Sequence, residues 1–209
     1  MFGLIHCAQS PYEVLATRWL AHRELCELFA LGECVEAFYN NRYFPSLWRY
    51  LRKSGEEPYS FFQGLLSVCR QHAFFDLSVT QELLARMLRE LAQGRVDREL
   101  LLELMRYDWL SCGHRFLPPS LAARPLSDIR AELRGSLPPS MEGWYGARER
   151  SEFLKRGVFL ELSARAGKEI GLDREGRAAT VCFLPEDPHG SGKRVRVAVL
   201  DLPPAQGGA

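Results

Sequence analysis

One stretch of the chain, residues 100–121, concentrates side chains that can bind a ligand or move a proton. Five candidate binding residues lie there: Arg106, Tyr107, Asp108, His114 and Arg115. Guanidinium groups bind carboxylates and phosphates, and an aspartate or histidine acts in acid–base chemistry when its pKa suits the reaction. The alternative is structural, with Asp108 paired to an arginine and the rings packed in a core, because buried charges need partners. The sequence assigns no residue a catalytic role.

The motif HGSGK at residues 189–193 is a second candidate, for phosphate binding. A phosphate-binding loop surrounds phosphates with backbone amides and a lysine. The full pattern fails here, because Asp187 stands where the first glycine is needed and Arg194 where a serine or threonine is needed. A glycine-rich turn is the better interpretation.

The cysteines do not form a metal-binding pattern. They are widely spaced, without a CxxC pair: Cys7, Cys26, Cys34, Cys69, Cys112 and Cys182. Cys112 and His114 supply only two ligands on one turn, so we predict no metal site in this chain. The first residues lack the basic start and apolar run of a secretory signal, which favours free thiols in a cytoplasmic protein.

Charge and hydropathy argue against two classes of partner. The 209 residues carry a formal net charge of +1, which gives no broad field for nucleic acid or an anionic membrane. No apolar run is long enough to cross a bilayer. A small basic strip at Lys193, Arg194 and Arg196 has acids interspersed and no RNA-binding aromatic motif, so solvated surface is favoured over a nucleic-acid interface.

The elements that must position the candidate residues are mostly helices. Apolar residues recur at helical spacing in residues 100–109, with Asp97 as the expected cap and Gly113 as the end. Four further helices are expected earlier, from similar spacing in residues 19–41 and 44–51 and from capping patterns that begin at Ser60 and Ser78. Short connections between them favour a helical bundle.

The periodicity changes after residue 145. A short helix around residues 127–133 and an irregular crossing precede three segments of alternating branched residues, at 158–163, 179–183 and 195–199. The predicted class is therefore α+β, a mainly helical bundle with a small C-terminal antiparallel β-sheet. The predicted parts are a helical domain at 19–134, a sheet subdomain at 135–203 and a disordered tail at 204–209.

The first eighteen residues do not fit either part. FGLIHCAQ has the composition of a short strand but no obvious partner strand nearby. Residues 10–13 fit a capping box, although an extended linker is favoured. We interpret residues 1–18 as a strand and linker left from an upstream domain.

Several blocks, taken in order, resemble a known domain. They are PYEVLATRW, VEAFYNNRYFPSLWRYL, PYSFF, LLLELMRYDWL and an Asp187–Pro188 turn before a final strand. Together they resemble the C-terminal domain of unknown function of cobalamin-binding-type radical SAM proteins, from about residue 11 to residue 202. In that family the domain follows a cobalamin-binding domain and a partial barrel that holds a four-iron cluster through CxxxCxxC. The resemblance therefore implies that residues 1–18 are a remnant strand and linker from an upstream barrel.

The resemblance implies a non-catalytic accessory role. S-adenosylmethionine, a four-iron four-sulfur cluster and cobalamin would belong to the missing domains, because this chain has no CxxxCxxC motif. The expected partner is the radical SAM barrel, with an apolar surface, including part of the first eighteen residues, left exposed where it docks. The alternative is a stand-alone ligand-binding protein or enzyme that uses residues 106–115, and a nucleic-acid binder is a third option.

Overall fold

Helices make up most of the chain, and a small antiparallel sheet lies toward its C terminus. The computed structural model describes residues 3–9, 14–138, 140, 149–172, 176–186 and 195–200. The α-helices in these residues are α1 (His22–Val35), α2 (Pro45–Lys53), α3 (Pro58–Gln71), α4 (Gln81–Ala92), α5 (Arg98–Ser111), α6 (Leu126–Ser136), α7 (Arg150–Arg156) and α8 (Ala164–Glu169). The strands are β1 (Ile5–His6), β2 (Val14–Ala16), β3 (Val158–Leu162), β4 (Ala179–Pro185) and β5 (Val195–Leu200). The predicted α+β class is confirmed.

Helix α5 lies at the centre of the helical part. Most of its residues are buried, and it contacts α2, α4, α8 and β3. The helix ends at Ser111, and Gly113 then takes a φ of +91°, a conformation that glycine adopts without steric cost. The predicted position and end of this helix are confirmed.

The helix starts differ from the predicted caps. Glu57, not Ser60, caps α3, because Pro58 occupies the first helical position and starts the helix earlier; the Glu57 carboxylate accepts from the amides of Tyr59 and Ser60. Thr80, not Ser78, caps α4 through the amide of Leu83 at 3.1 Å.

Asp97 stands at the N-cap position of α5 but does not cap it. Its carboxylate instead accepts from the Arg95 guanidinium at 2.8 Å and from the Tyr50 hydroxyl at 3.1 Å. The hydrogen bond from Arg95 is the main cause that lowers the Asp97 pKa. The predicted capping role was therefore wrong, because a guanidinium competes for the same oxygens.

The N-terminal strand does have a partner. Strand β1 pairs antiparallel with β2, with Ile5 opposite Ala16 and His6 opposite Val14. The expectation that nothing nearby pairs with this strand was wrong. Residues 10–13, where the capping box and the linker were weighed, lie outside the described residues.

The C-terminal sheet is an internal layer, with helices packed on both of its faces. Its strand order is β3-β4-β5, all antiparallel. Val158, Leu160 and Val181 pack into the core of the helical bundle. Phe159 and Cys182, on the opposite face, pack with residues of α6 and α7. The predicted boundary between residues 134 and 135 falls inside α6.

Two helices were not predicted, and a third is longer than predicted. Helices α7 and α8 are seven and six residues long, too short for a clear helical period. Helix α6 extends beyond the predicted 127–133. The HGSGK motif, the Asp187–Pro188 turn and the predicted tail lie outside the described residues, as do Lys193 and Arg194.

Candidate functional site

Asp108 is a buried cap of helix α2. Only 2% of its surface is exposed. Its carboxylate accepts from the backbone amides of Ser46 at 2.9 Å and Leu47 at 3.3 Å, in the first turn of α2. Burial raises the Asp108 pKa to about 7, against the opposing effect of these hydrogen bonds. The expected pairing with an arginine is replaced by pairing with backbone amides.

Tyr107 and His114 are also engaged by neighbours. The Tyr107 ring lies 5.7 Å from the Phe183 ring of β4, and burial raises the Tyr107 pKa. The His114 ring stacks on Trp109 with centroids 4.1 Å apart, and its Nε2 lies 2.8 Å from Oε1 of Gln81. These contacts fix the corner after α5 and connect it to α4 and the sheet.

Arg106 is a partly buried cation bonded to backbone oxygens. Its guanidinium donates to the carbonyls of Leu121 at 3.1 Å and Ala122 at 2.9 Å. No ion pair joins Arg106 to a carboxylate among the described residues. Burial lowers its pKa, and the charges of Glu99 and Glu103 oppose that effect. Such a group retains N–H donors for a further acceptor, because a guanidinium has five.

Arg106 and Arg115 line the same cavity, of about 550 Å³. The cavity lies between α5, the segment after it, α6 and β3. Its apolar wall is formed by Leu110, Phe116, Leu117, Ile129, Val158 and Leu160, among others. Tyr107, Asp108 and His114 are not among its lining residues. The structure therefore brings together two of the five predicted residues.

Three charged residues of this cavity were not predicted: Glu103, Arg124 and Glu161. Arg124 forms ion pairs with Glu132 at 2.7 Å and Glu161 at 2.8 Å. Glu103 accepts from the amide and the hydroxyl of Ser163, at 3.0 and 2.7 Å. These residues come from distant stretches, so no local sequence pattern indicates that they meet.

A second cavity, of about 400 Å³, is almost entirely apolar and lies between α1, α2 and α3. Trp48 and Phe62 stack within its wall, with centroids 5.7 Å apart and an interplanar angle of 11°. Tyr39 meets Trp48 edge-on at 5.5 Å. Tyr39 belongs to a π-helical segment (Glu36–Asn40) that continues α1. The predicted first helix therefore changes its hydrogen-bonding pattern where it reaches this cavity.

Helix α1 and the N-terminal strands expose many apolar side chains. Six of them define what we call the N-terminal apolar surface: Leu4, Ile5, Val14, Trp19, Leu28 and Phe29. Half of Leu28 and 72% of Phe29 are exposed. Helix α1 contacts β2 and α3, yet Cys34 is its only fully buried residue. An amphipathic helix ordinarily buries an apolar stripe, so α1 is incompletely covered.

Neither a metal-ligand cluster nor a membrane helix is found in the part of the chain that the structure describes. No group of three or more His, Cys, Asp or Glu side chains there is placed to hold a metal ion. None of the helices described is both long enough and apolar enough to span a membrane.

The fold and its cavities define an α+β protein with a helical core, an internal sheet and an exposed apolar N-terminal surface. A family model for proteins of unknown function (DUF4080) matches residues 1–134, and the chain belongs to this family. The match covers both the N-terminal strands and the helical part. Neither a curated protein nor a solved structure matches the chain.

Proposed function

We propose that this chain is a non-catalytic accessory domain that packs on the barrel of a cobalamin-dependent-type radical SAM enzyme. There it would help to close the active site or to select the substrate or a protein partner. The observation that carries this proposal is the exposure of the N-terminal apolar surface. The choice of partner comes from the resemblance of the sequence blocks to the domain that follows such barrels.

The physical argument starts from the hydrophobic effect. Burying a leucine or phenylalanine side chain contributes about 1.5–3 kcal/mol, so covering six exposed apolar residues would stabilise an interface substantially. Large exposed apolar areas on a folded chain are typical of interaction sites. Leu31 and Val35, also on α1, line the apolar cavity between α1, α2 and α3, so this cavity adds to the apolar surface of the helix.

The two-stranded N-terminal sheet supports a specific way of docking. Strands β1 and β2 pair only with each other among the described residues, so each has one edge without a partner strand. An unpaired strand edge is a template for another strand. In the proposed assembly β1 would continue the sheet of the barrel, with Leu4 and Ile5 covered by the partner.

The cofactors of the proposed assembly would lie in the partner. S-adenosylmethionine, a four-iron four-sulfur cluster and cobalamin would be bound by the barrel and its cobalamin domain. This chain would bind no cofactor and would contribute the surface that closes the active site or selects the substrate or a protein partner. We place the assembly in the cytoplasm, where the chain's thiols would stay reduced.

Co-purification tests this proposal. The chain is co-expressed with the cobalamin-type radical SAM domains encoded in frame before it or beside it, and the complex is isolated through a tag on the partner. We expect the wild-type chain to co-purify and the double variant Leu28→Glu/Phe29→Glu to be lost, because two carboxylates would be buried at the interface. Val96→Glu is the matched control, since Val96 is a fully exposed apolar residue in the loop before α5.

Two results would contradict the proposal. One is co-purification of the double variant at the wild-type level. The other is that the chain has no radical SAM partner, either because no such domain is encoded with it or because the two do not associate.

The stand-alone enzyme alternative receives less support from the geometry. Its two candidate proton-transfer groups, Asp108 and His114, are held by the first turn of α2 and by Gln81 and Trp109. Neither lines the cavity that Arg106 and Arg115 share. Ligand binding at that cavity is a separate matter, because it needs no proton transfer.

A further inference from the structure

We propose that the cavity between α5, α6 and β3 binds a small organic carboxylate with an apolar body. The volume, about 550 Å³, is within the range of small-molecule sites. Its wall combines large apolar side chains with a few charged groups, which is the usual composition of such a site. This inference goes beyond the proposed docking role and does not depend on it.

The charges of the wall favour an anion. Three arginines and two glutamates line the cavity, and a third glutamate, Glu132, pairs with Arg124 from outside the lining. Arg124 is neutralised by Glu132 and Glu161. Arg106 and Arg115 have no such ion pair among the described residues, so they are the groups available to a ligand.

Arg106 is well prepared for this role. Its bonds to the Leu121 and Ala122 carbonyls hold the guanidinium in place and leave further N–H groups unassigned. Partial burial makes the charge costly without a counter-ion, and an incoming carboxylate would supply one. Glu103, the carboxylate that α5 contributes to the cavity wall, accepts hydrogen bonds from Ser163.

Arg115 adds a second cation, at the surface of the protein. It is exposed, and its guanidinium makes a long bond of 3.4 Å to the Lys155 carbonyl. A guanidinium can bind a carboxylate through two parallel N–H hydrogen bonds. The neighbouring Phe116 and Leu117 would contact the apolar body of the ligand.

Calorimetry with paired small molecules tests the inference on the isolated chain. The probes are 4-phenylbutyrate and the uncharged 4-phenylbutan-1-ol, which share an apolar body and differ in the carboxylate. We expect the acid to bind at least about tenfold more tightly, because charge-assisted hydrogen bonds contribute about 1.5–3 kcal/mol. Amide NMR shifts should be confined to the cavity wall.

Two variants and a control separate the arginines from general charge effects. Arg106→Gln and Arg115→Gln should each weaken binding of the acid by about tenfold and leave binding of the alcohol unchanged. Arg115→Gln keeps the test valid if Arg106→Gln fails to fold, because Arg115 is exposed. Arg23→Gln is the matched control, an exposed arginine on α1 outside the cavity.

Loss of affinity in either folded variant, with the control unchanged, supports the inference. Equal affinity for acid and alcohol, no saturable binding of the acid at millimolar concentration, or unchanged affinity in the folded variants would overturn it. None of these results depends on a radical SAM partner, so this inference and the proposed function can fail separately.

Discussion

Replacement of Asp108 by asparagine should remove a pH dependence of stability that this single buried carboxyl creates. Its pKa rises from 3.8 in the unfolded chain to about 7 in the folded chain because of burial. The folded chain then holds more protons than the unfolded chain between these two values. The free energy of unfolding therefore falls as the pH rises through this window and is level above it.

The size of the effect follows from the difference between the two pKa values of Asp108. One pKa unit corresponds to about 1.36 kcal/mol, so the full change from 3.8 to about 7 lowers the free energy of unfolding by about 4 kcal/mol. An asparagine at this position is neutral at every pH. It retains an oxygen that can accept from the Ser46 amide, so the helix cap is partly preserved.

Urea unfolding followed by circular dichroism, at pH 4.5 and pH 8, measures the difference. Between these two values we expect the stability of Asp108→Asn relative to wild type to increase by about 3 kcal/mol. Asp76→Asn controls for the loss of one negative charge at an exposed position. A relative stability that is constant, or that falls as the pH rises, would refute the reasoning, since the hydrogen bonds from the backbone amides would then outweigh burial.

Two further predictions concern packing and thiol exposure. Gly157→Ala should destabilise the fold by about 1–3 kcal/mol, because the new Cβ would lie 2.6 Å from the Phe159 ring. Gly94→Ala is the control, because a Cβ there would meet nothing within 4 Å. Equal melting temperatures for the two variants would contradict the packing argument. Iodoacetamide at pH 8 should label the exposed Cys26 rapidly and the buried Cys182 only after unfolding, because burial also raises the Cys182 pKa to about 12. Peptide mass spectrometry gives the order in which the two thiols are labelled. Early labelling of Cys182 would contradict the described core.

The parts of the fold that local patterns determine were predictable. The apolar period of α5 and the alternation in β3, β4 and β5 give both the element types and their approximate bounds, because one or both faces of each element are buried. The caps at Ser60 and Ser78 were predicted wrongly, since Pro58 and Thr80 lie closer to the true helix starts. A capping pattern alone does not fix which of several polar residues is used.

The parts that depend on distant contacts were not predictable. Asp108 caps a helix that begins more than sixty residues earlier in the chain, so its partners could not be read from residues near it. The shared cavity of Arg106 and Arg115 also needs Arg124 and Glu161, which come from other elements. Composition gave the five candidate residues, but only the fold shows that Arg106 and Arg115 line the cavity between α5, α6 and β3 while the other three do not.

Hydrogen–deuterium exchange of the N-terminal strands and α1, in the chain joined to a cobalamin-type radical SAM barrel and in the isolated chain, tests the docking proposal most directly. Docking through the N-terminal apolar surface predicts that amides of β1 and α1 exchange more slowly in the joined protein, while those of the buried helix α5 change little. Equal exchange of β1 and α1 in both forms would contradict the proposal.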